Sequence, residues 1–403
     1  MLAWLLPQSG WDLEILSPSI SLQPPSWIDP DADRFFPSGS KVTEAPLMRL
    51  SNALKSIGIR GLSWQGLLPI YRAGSKILRR EKFDLVFFST TAFSFFCLGR
   101  LWRRRFGVPY VLDLQDPWFR EMPAKVATTK HVFKAKIGNA LSRHMERFAI
   151  EAADGIISVS PNYLRTMRGR YPDARAIRTG RIATIPFGAF EQDFGALPKS
   201  DLRPAFLTIA YVGAGGFLMA KSFGYFVRSL ARVRAKHPDL VGLFRIHLVG
   251  TDGGWTEGSA KVLQNIASIS GAGDLVIEDP AIVPYSRSVE IASVANGLLV
   301  LGVDEDAYMA SKLFPYASLR KPLLACICKN SQMNAYFEAH PDLGTVIHFS
   351  DAGDNPADDE MVLKFLEQLR AGTEAPRANV MDEYSAMAMT SKVAQLFDNC
   401  VDR

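Results

Sequence analysis

Three glycines in the second half of the chain have the type and spacing that a phosphate site needs. Gly213, Gly215 and Gly216 come directly after an apolar run at 206–212. Glycines at the end of a strand let backbone N–H groups approach a phosphate at the start of the next helix. Leu218 stands where a dinucleotide-binding fingerprint requires its third glycine, which disfavours a nicotinamide cofactor. The pattern predicts either a phosphate site around Gly215 and Gly216 or a tight turn alone.

A serine and a lysine later in the same half suit the same ligand. Ser311 and Lys312 stand at the start of a helical pattern that continues through Tyr316. A hydroxyl and an ammonium at the positive end of a helix dipole form a good seat for a diphosphate. The alternative is an ordinary capped helix start with a solvated lysine.

Two aspartates in the first half follow a buried strand pattern and could act as a general base. Asp113 and Asp116 lie in the segment LDLQDPW, which ends at Trp118. A carboxylate at a strand end can take a proton from an attacking hydroxyl if its surroundings tune its pKa. The alternative is an aspartate that caps the turn before Pro117.

Basic residues are concentrated in the first half of the chain. Residues 1–200 contain 28 Lys and Arg against 17 Asp and Glu, whereas residues 201–403 contain 18 against 24. Arg103, Arg104 and Arg105 adjoin Trp102, a combination that suits an anionic membrane surface. The alternative is a solvated basic helix face.

The elements that position these residues alternate between apolar strand patterns and amphipathic helix patterns in both halves. Such alternation predicts parallel, doubly wound α/β sheets, and 403 residues are too many for one ordinary core. In parallel sheets, ligands bind beyond the carboxyl ends of the strands, where all of the candidate residues fall. The polar segment 191–204, which carries two prolines, is the predicted linker between two domains.

Composition narrows the class of protein further. The four cysteines show neither CxxC spacing nor a histidine at metal-ligand spacing, so we expect no disulfide framework and no metal site. The apolar N-terminus lacks a basic leader and is too short to span a membrane. We therefore expect a cytoplasmic protein that acts without nucleic acid, with peripheral attachment to the inner face of the membrane through its basic half.

The order of the segments resembles the family 4 glycosyltransferases, which have the GT-B fold. The resemblance covers nearly the whole chain and is carried by FDLVFFSTT (83–91), GVPYVLDLQDPW (107–118), ADGIISVSPNYLRTM (153–167), AYVGAGG (210–216) and ASKLFPYASLRKPLLA (310–325). It implies two Rossmann-like domains that face a central cleft. Residues 1–198 would bind the acceptor, residues 199–384 would bind the donor, and the helix in 385–403 would cross back to the first domain.

The resemblance also implies an activity, which is sugar transfer from a nucleoside-diphosphate sugar to an acceptor hydroxyl. Such transfer retains the anomeric configuration, needs no metal or cofactor, and serves the synthesis of surface polysaccharides or glycolipids. The implied site residues fall into three groups. The donor diphosphate would be held by Gly215, Gly216, Lys221, Ser311 and Lys312, the ribose and base by Asp304, Asp306, Val283 and Tyr285, and the glycan or lipid-linked acceptor by Trp118, Ser160 and Asn162.

The chain departs from the family pattern in two places. Many members carry a pair of glutamates around the donor-binding helix, and the aligned positions here are Ala307 and Pro315. Asp304 or Asp306 would have to replace the carboxylate that holds the ribose. The first domain also begins inside a helix pattern, so its opening strand is expected to be missing.

These departures keep two alternatives open. One is a non-catalytic GT-B homologue that binds a nucleotide sugar or supports a partner enzyme. The other is a GT-B-like epimerase that acts on the donor sugar itself. A dinucleotide-dependent oxidoreductase fits less well, because neither half contains a complete fingerprint.

Overall fold

The structure is a computed structural model. It describes residues 1–19, 28–30, 32, 36–49, 62–119, 131–190, 206–252, 260–351, 353–372, 374 and 378–401. The predicted linker at 191–204 lies outside the described residues.

The chain forms two compact units, each made of separate segments. The N-terminal unit contains residues 2–23, 36–186 and 390–403, and the C-terminal unit contains Met1 and residues 24–35 and 187–389. The chain therefore passes from one unit to the other several times, and residues 390–403 return to the N-terminal unit.

The N-terminal unit is built on parallel strands that the apolar sequence runs predict. The strands are β1 (Glu14–Pro18), β2 (Lys41–Ala45), β3 (Val86–Ser89), β4 (Tyr110–Leu114), β5 (Gly155–Ser158) and β6 (Ile182–Thr184). The order β3-β4-β5-β6 forms one sheet, and β1 pairs with β2 in a second. The α-helices are α1 (Leu2–Leu5), α2 (Leu62–Arg80), α3 (Phe96–Phe106), α4 (His131–Ile150), α5 (Pro161–Arg170) and α6 (Arg175–Arg178), with short 3-10 turns at Pro7–Ser9 and Phe93–Phe95.

Among the described residues, β1 bonds only to β2 and β3 bonds only to β4, so side chains rather than backbone join the two sheets. Helix α2 connects them through α3, because its Gly74 lies against Leu16 of β1 and against the indole of Trp102, and that indole stacks on Phe88 of β3. The last helix of the chain, α15 (Ala386–Val401), makes a second connection.

Phe397 of α15 provides that second connection. Its ring centre lies 5.2 Å from that of Trp11, which precedes β1, and 5.0 Å from that of Phe87 in β3. The N-terminal unit therefore completes its core with residues from the far end of the chain.

The C-terminal unit is a six-stranded parallel sheet in the order β12-β11-β10-β7-β8-β9. Its strands are β7 (Leu207–Val212), β8 (Phe244–Val249), β9 (Val276–Asp279), β10 (Gly297–Leu301), β11 (Leu323–Cys328) and β12 (Thr345–Phe349). Its helices are α7 (Ala220–Lys236), α8 (Pro238–Gly242), α9 (Val262–Ile269), α10 (Tyr285–Val294), α11 (Leu313–Ser318), α12 (Asn334–Ala339), α13 (Pro356–Ala371) and α14 (Ala378–Tyr384), with 3-10 turns at Gly273–Leu275 and Pro341–Leu343.

The strand order creates a topological switch point between β7 and β10. From β7 the chain first adds β8 and β9 on one side and then returns to add β10, β11 and β12 on the other. Connections leave the two central strands in opposite directions, which opens a crevice at their carboxyl ends. The glycine segment 213–216 follows β7, and Asp304 follows β10, so these sequence-predicted donor residues lie at this crevice.

Candidate functional site

The glycine segment after β7 adopts backbone conformations that favour glycine. Gly213 has φ +125° and Gly216 has φ +45°. A Cβ added to Gly213 would lie 2.7 Å from the Nζ atom of Lys312, so the absence of a side chain lets the lysine approach the strand end.

Only part of this segment has N–H groups to offer a ligand. The N–H of Gly213 donates to the carbonyl of Val249 (2.8 Å), and the N–H of Gly215 donates to that of Thr251 (3.1 Å). Gly215 therefore supports the turn, and its amide is not available for the predicted contact with phosphate. For Gly216 and Phe217, no acceptor of the backbone N–H occurs among the described residues.

Lys312 is partly buried and immediately precedes the six-residue helix α11. Its Nζ atom lies 3.9 Å from the centre of the Tyr211 ring, and among the described residues no carboxylate pairs with it. Burial lowers the pKa of the Lys312 ammonium from 10.5 to about 7. The Tyr211 hydroxyl donates to the carbonyl of Ala214 (2.5 Å), which fixes the ring. Ser311 is exposed and does not cap the helix.

Lys221, also predicted to bind phosphate, is already paired. Its Nζ atom lies 2.5 Å from a carboxylate oxygen of Asp304 and 2.8 Å from one of Asp351. Hydrogen bonds to Asp304 and then to Asp351 raise the pKa of Lys221. Lys221, predicted to bind the diphosphate, is thus paired with Asp304, predicted to bind the ribose. Within the described part of the chain, Lys312 is the predicted phosphate-binding lysine that no carboxylate neutralises.

The other predicted ribose and base residues lie on neighbouring loops. Asp306 accepts the backbone N–H of Gln332 through its carbonyl oxygen (3.0 Å), which anchors the loop after β10. Val283 and Tyr285 follow β9, the edge strand that is separated from β7 by β8. Val283 lines a pocket of about 280 Å³ together with His247, and burial lowers the pKa of that histidine.

Sequence reasoning missed Asp29, which caps the first turn of α10. Its carboxylate accepts the backbone N–H of Ser286 (3.0 Å) and the hydroxyl of the same serine (3.1 Å). These residues are 257 positions apart, so no local pattern indicates the contact. The helix that begins beside the predicted base site is therefore positioned by a residue from the start of the chain.

In the N-terminal unit, the two candidate bases have different surroundings. Asp113 is 8% exposed, and its carboxylate accepts from Ser89 Oγ (2.9 Å) and Gln115 Nε2 (2.8 Å). Burial raises the pKa of Asp113, and these two hydrogen bonds offset part of the rise. Asp116 is exposed at the same end of β4. Asp116 is therefore the accessible carboxylate, and Asp113 orders the strand end.

The predicted acceptor residues do not form one cluster of exposed polar groups. Trp118 is stacked on Phe93 with ring centres 5.8 Å apart. Ser160 is fully buried, and its hydroxyl caps α5 by accepting the Tyr163 N–H (3.2 Å). The amide oxygen of Asn162 accepts from Arg165 (2.6 Å). Ser160 thus holds the start of a helix rather than offering its hydroxyl to a ligand.

The basic patch also differs from its prediction. Trp102 is 3% exposed and donates to the Ser75 hydroxyl (3.0 Å), so it belongs to the core and not to a membrane interface. Arg103 pairs with buried Asp154 at 2.9 Å. Arg104 and Arg105 remain exposed on α3.

The described residues contain neither a cluster of metal ligands nor a membrane-spanning helix. None of those residues forms a group of three or more His, Cys, Asp or Glu that could hold a metal ion. No helix in the described ranges is both long and apolar enough to cross a membrane.

Comparison with known proteins places the chain among glycosyltransferase folds. Residues 1–188 match the model of the glycosyl transferase 4-like domain. Anabaena Alr3699/HepE in complex with UDP-glucose is 12% identical, with a TM-score of 0.59 over 95% of this chain and 98% of that one. The UDP-forming α,α-trehalose-phosphate synthase of Burkholderia vietnamiensis is 13% identical, with a TM-score of 0.55 over 88% and 79%. No curated protein sequence matches the chain. The predicted α/β fold of GT-B type is confirmed.

Proposed function

We propose that the protein moves a sugar from a nucleoside-diphosphate sugar to an acceptor hydroxyl, because residues 1–188 match the model of the glycosyl transferase 4-like domain and the chain has the GT-B fold. The acceptor is a glycan or a lipid-linked sugar of surface polysaccharide or glycolipid synthesis. Transfer retains the anomeric configuration and uses no metal.

The observation that carries this proposal is the position of Lys312 at the switch point. When the bond between the anomeric carbon and the diphosphate oxygen breaks, the electron pair and a negative charge pass to the diphosphate. An ammonium that is not paired with a carboxylate stabilises that charge more than a paired ammonium does. The stabilisation is stronger where the site is shielded from water. Lys312 meets both conditions within the described residues.

The start of α7 supports the same assignment. The N–H groups of Gly216 and Phe217 precede this 17-residue helix, whose first turn contains no acidic residue. The positive end of its dipole therefore carries no acidic residue of its own, which favours an anion there. Lys312 and this helix end would hold the diphosphate together.

On the acceptor side, we assign the base to Asp116 and a positioning role to Asp113. The acceptor oxygen forms its bond to the anomeric carbon and gives up its proton to the base. Asp116 is the exposed member of the pair and can be reached by an acceptor, whereas the carboxylate of Asp113 is buried. UDP is the nucleotide to test first, because complexes of the Anabaena protein contain UDP and UDP-glucose.

The test is calorimetric titration with UDP, followed by an assay for sugar transfer. Lys312→Ala should weaken UDP binding at least tenfold, because a charge-assisted contact is worth about 1.5–3 kcal/mol. Lys236→Ala is the matched control, since it removes an exposed lysine at the far end of α7. The donor site is wrong if the wild type binds no nucleoside diphosphate, or if both variants bind equally well.

One observation favours a non-catalytic homologue as the second candidate. Pro315 lies inside α11, and Ala307 lies in the loop before it, so neither position supplies the carboxylates of the family. Asp304, one of the two proposed substitutes, is held by Lys221. A protein that binds UDP-sugars, yet releases no UDP with any acceptor extract, would fit this candidate.

We also propose a cytoplasmic location with attachment to the inner face of the membrane through Arg104 and Arg105. Both are exposed on the last turn of α3, where cations also suit the helix dipole. Vesicle flotation with anionic lipid should decrease when both are changed to Glu. Unchanged flotation would mean that this basic face of α3 is in contact with solvent and does not bind the membrane.

A further inference from the structure

A pocket of about 390 Å³ lies in the helical layer of the N-terminal unit, whereas the candidate donor residues belong to the C-terminal unit. Its walls come from α4 and from the residues that end and follow α5. Helix α5 begins just after β5, at the carboxyl edge of the sheet, and its ten residues carry the chain about 15 Å away from that edge. The charged and aromatic groups of the pocket are Arg143, His144, Arg147, Arg170, Tyr171, Glu151 and Asp173.

Two of its arginines are held in fixed positions by carboxylates. Arg170 pairs with Glu146 at 2.5 Å, and Glu146 is 1% exposed. The Tyr171 hydroxyl donates to the same carboxylate oxygen of Glu146 (2.8 Å). Arg147 pairs with Glu151 at 2.7 Å. Each of these guanidinium groups has five N–H donors, so donors remain for a ligand after these contacts.

The third arginine is not neutralised by any carboxylate in the described part of the chain. The Arg143 guanidinium lies 5.8 Å from the centre of the Phe119 ring, and that of Arg170 lies 4.7 Å from the same ring. The surroundings are also basic, because residues 138–181 contain eight arginines against four acidic residues. An anion that enters the pocket therefore meets Arg143, which has no paired carboxylate among the described residues, beside two oriented guanidinium groups and the carboxylate of Asp173.

We propose that this pocket binds a phosphate ester. Guanidinium groups bind phosphate oxygens through paired N–H donors, and several of them together favour phosphate over a single carboxylate. A volume of about 390 Å³ admits the phosphate together with the organic group that carries it. That group belongs either to a soluble metabolite or to a lipid headgroup. The proposal is independent of the donor site, since it concerns other residues in the other unit.

The first experiment titrates the full chain with glycerol 3-phosphate. Lys312→Ala is present in every sample, so that the candidate donor site does not contribute. Arg143→Gln should weaken binding at least tenfold. Arg178→Gln is the control, because it removes an exposed arginine of the same unit outside the pocket, and it should change binding less than twofold.

The second experiment measures sedimentation with phosphatidylcholine vesicles, with and without phosphatidic acid. Binding that requires phosphatidic acid and Arg143 identifies a lipid headgroup, whereas binding to glycerol 3-phosphate alone identifies a soluble ester. Hydrogen exchange on the wild type provides a readout free of substitutions, since ligand should protect residues 143–151 and 170–174. No binding to either probe overturns the proposal, as does equal weakening by Arg143→Gln and Arg178→Gln.

Discussion

The Nζ atom of Lys312 lies 3.9 Å from the centre of the Tyr211 ring, so an ammonium faces an aromatic surface rather than a carboxylate. Lys221, in contrast, lies within 2.8 Å of two carboxylates. Both lysines belong to the predicted phosphate site, but only Lys312 brings uncompensated charge within the described residues. This difference determines how the site should respond to pH and to substitution.

Donor binding should depend on pH through Lys312. Burial lowers the pKa of its ammonium to about 7. In the protein without ligand, Lys312 is therefore mostly protonated below pH 7 and mostly neutral above it. A bound diphosphate favours the protonated form. Affinity for UDP-glucose, whose phosphates do not titrate in this range, should therefore fall as pH rises from 6 to 9.

Lys312→Arg is the control for this pH dependence, because a guanidinium keeps its charge throughout the range. The affinity of this variant for UDP-glucose should stay nearly constant between pH 6 and 9. Calorimetry in buffers with different ionisation enthalpies should also detect proton uptake by the wild type near pH 8. Affinity of the wild type that does not change between pH 6 and 9 would contradict this assignment.

Lys221→Ala should reduce donor binding less than Lys312→Ala does. Its charge is already balanced by Asp304 and Asp351, and an exposed ion pair contributes only about 0.2–1 kcal/mol. Titration with UDP at pH 6.5, where Lys312 is charged, allows a direct comparison. An equal loss in both variants would mean that Lys221 leaves its carboxylates to contact the donor.

Gly213→Ala should weaken donor binding because the new Cβ would displace the Lys312 side chain, whose Nζ atom lies 2.7 Å from that position. Gly271→Ala is the matched control, since its φ is also positive and no atom lies within 4 Å of its Cβ position. Both variants should lose about 1–3 kcal/mol of unfolding free energy through backbone strain. Only Gly213→Ala should lower the affinity for UDP.

Asp116→Asn should slow sugar transfer by roughly 10²–10⁴-fold if Asp116 is the general base. Asp113→Asn keeps an oxygen that can accept from Ser89, so it should slow transfer less and mainly raise KM for the acceptor. Single-turnover rates distinguish these outcomes. A larger decrease in rate for Asp113→Asn than for Asp116→Asn would mean that Asp113 is the base and Asp116 the positioning residue.

Most of the fold could be predicted from local patterns. Strands buried on both faces of a parallel sheet appear as continuous apolar runs, and β10 and β4 are examples in which every residue is buried. The same patterns located the glycine segment at a strand end and Lys312 at the start of a helix. Their approach to each other then follows from the position of β7 beside β10.

Contacts between distant residues could not be predicted from one sequence. The ion pair of Lys221 with Asp304 joins residues 83 positions apart, and the buried Trp102 donates to Ser75 in another helix. In both cases the residue is of a type expected to bind a ligand or to contact a membrane. It contacts another side chain instead, and the tertiary structure brings that partner from a distant part of the sequence.

The packing of Phe397 against Trp11 and Phe87 also sets the order of events during synthesis. These two aromatic rings leave the ribosome early, but the residue that covers them is among the last to emerge. Until then, the N-terminal unit exposes part of its core to solvent and to chaperones. A fragment that stops after residue 188 would keep that exposed surface permanently, so the unit should be isolated with its C-terminal helix supplied rather than cut from the chain as one continuous piece.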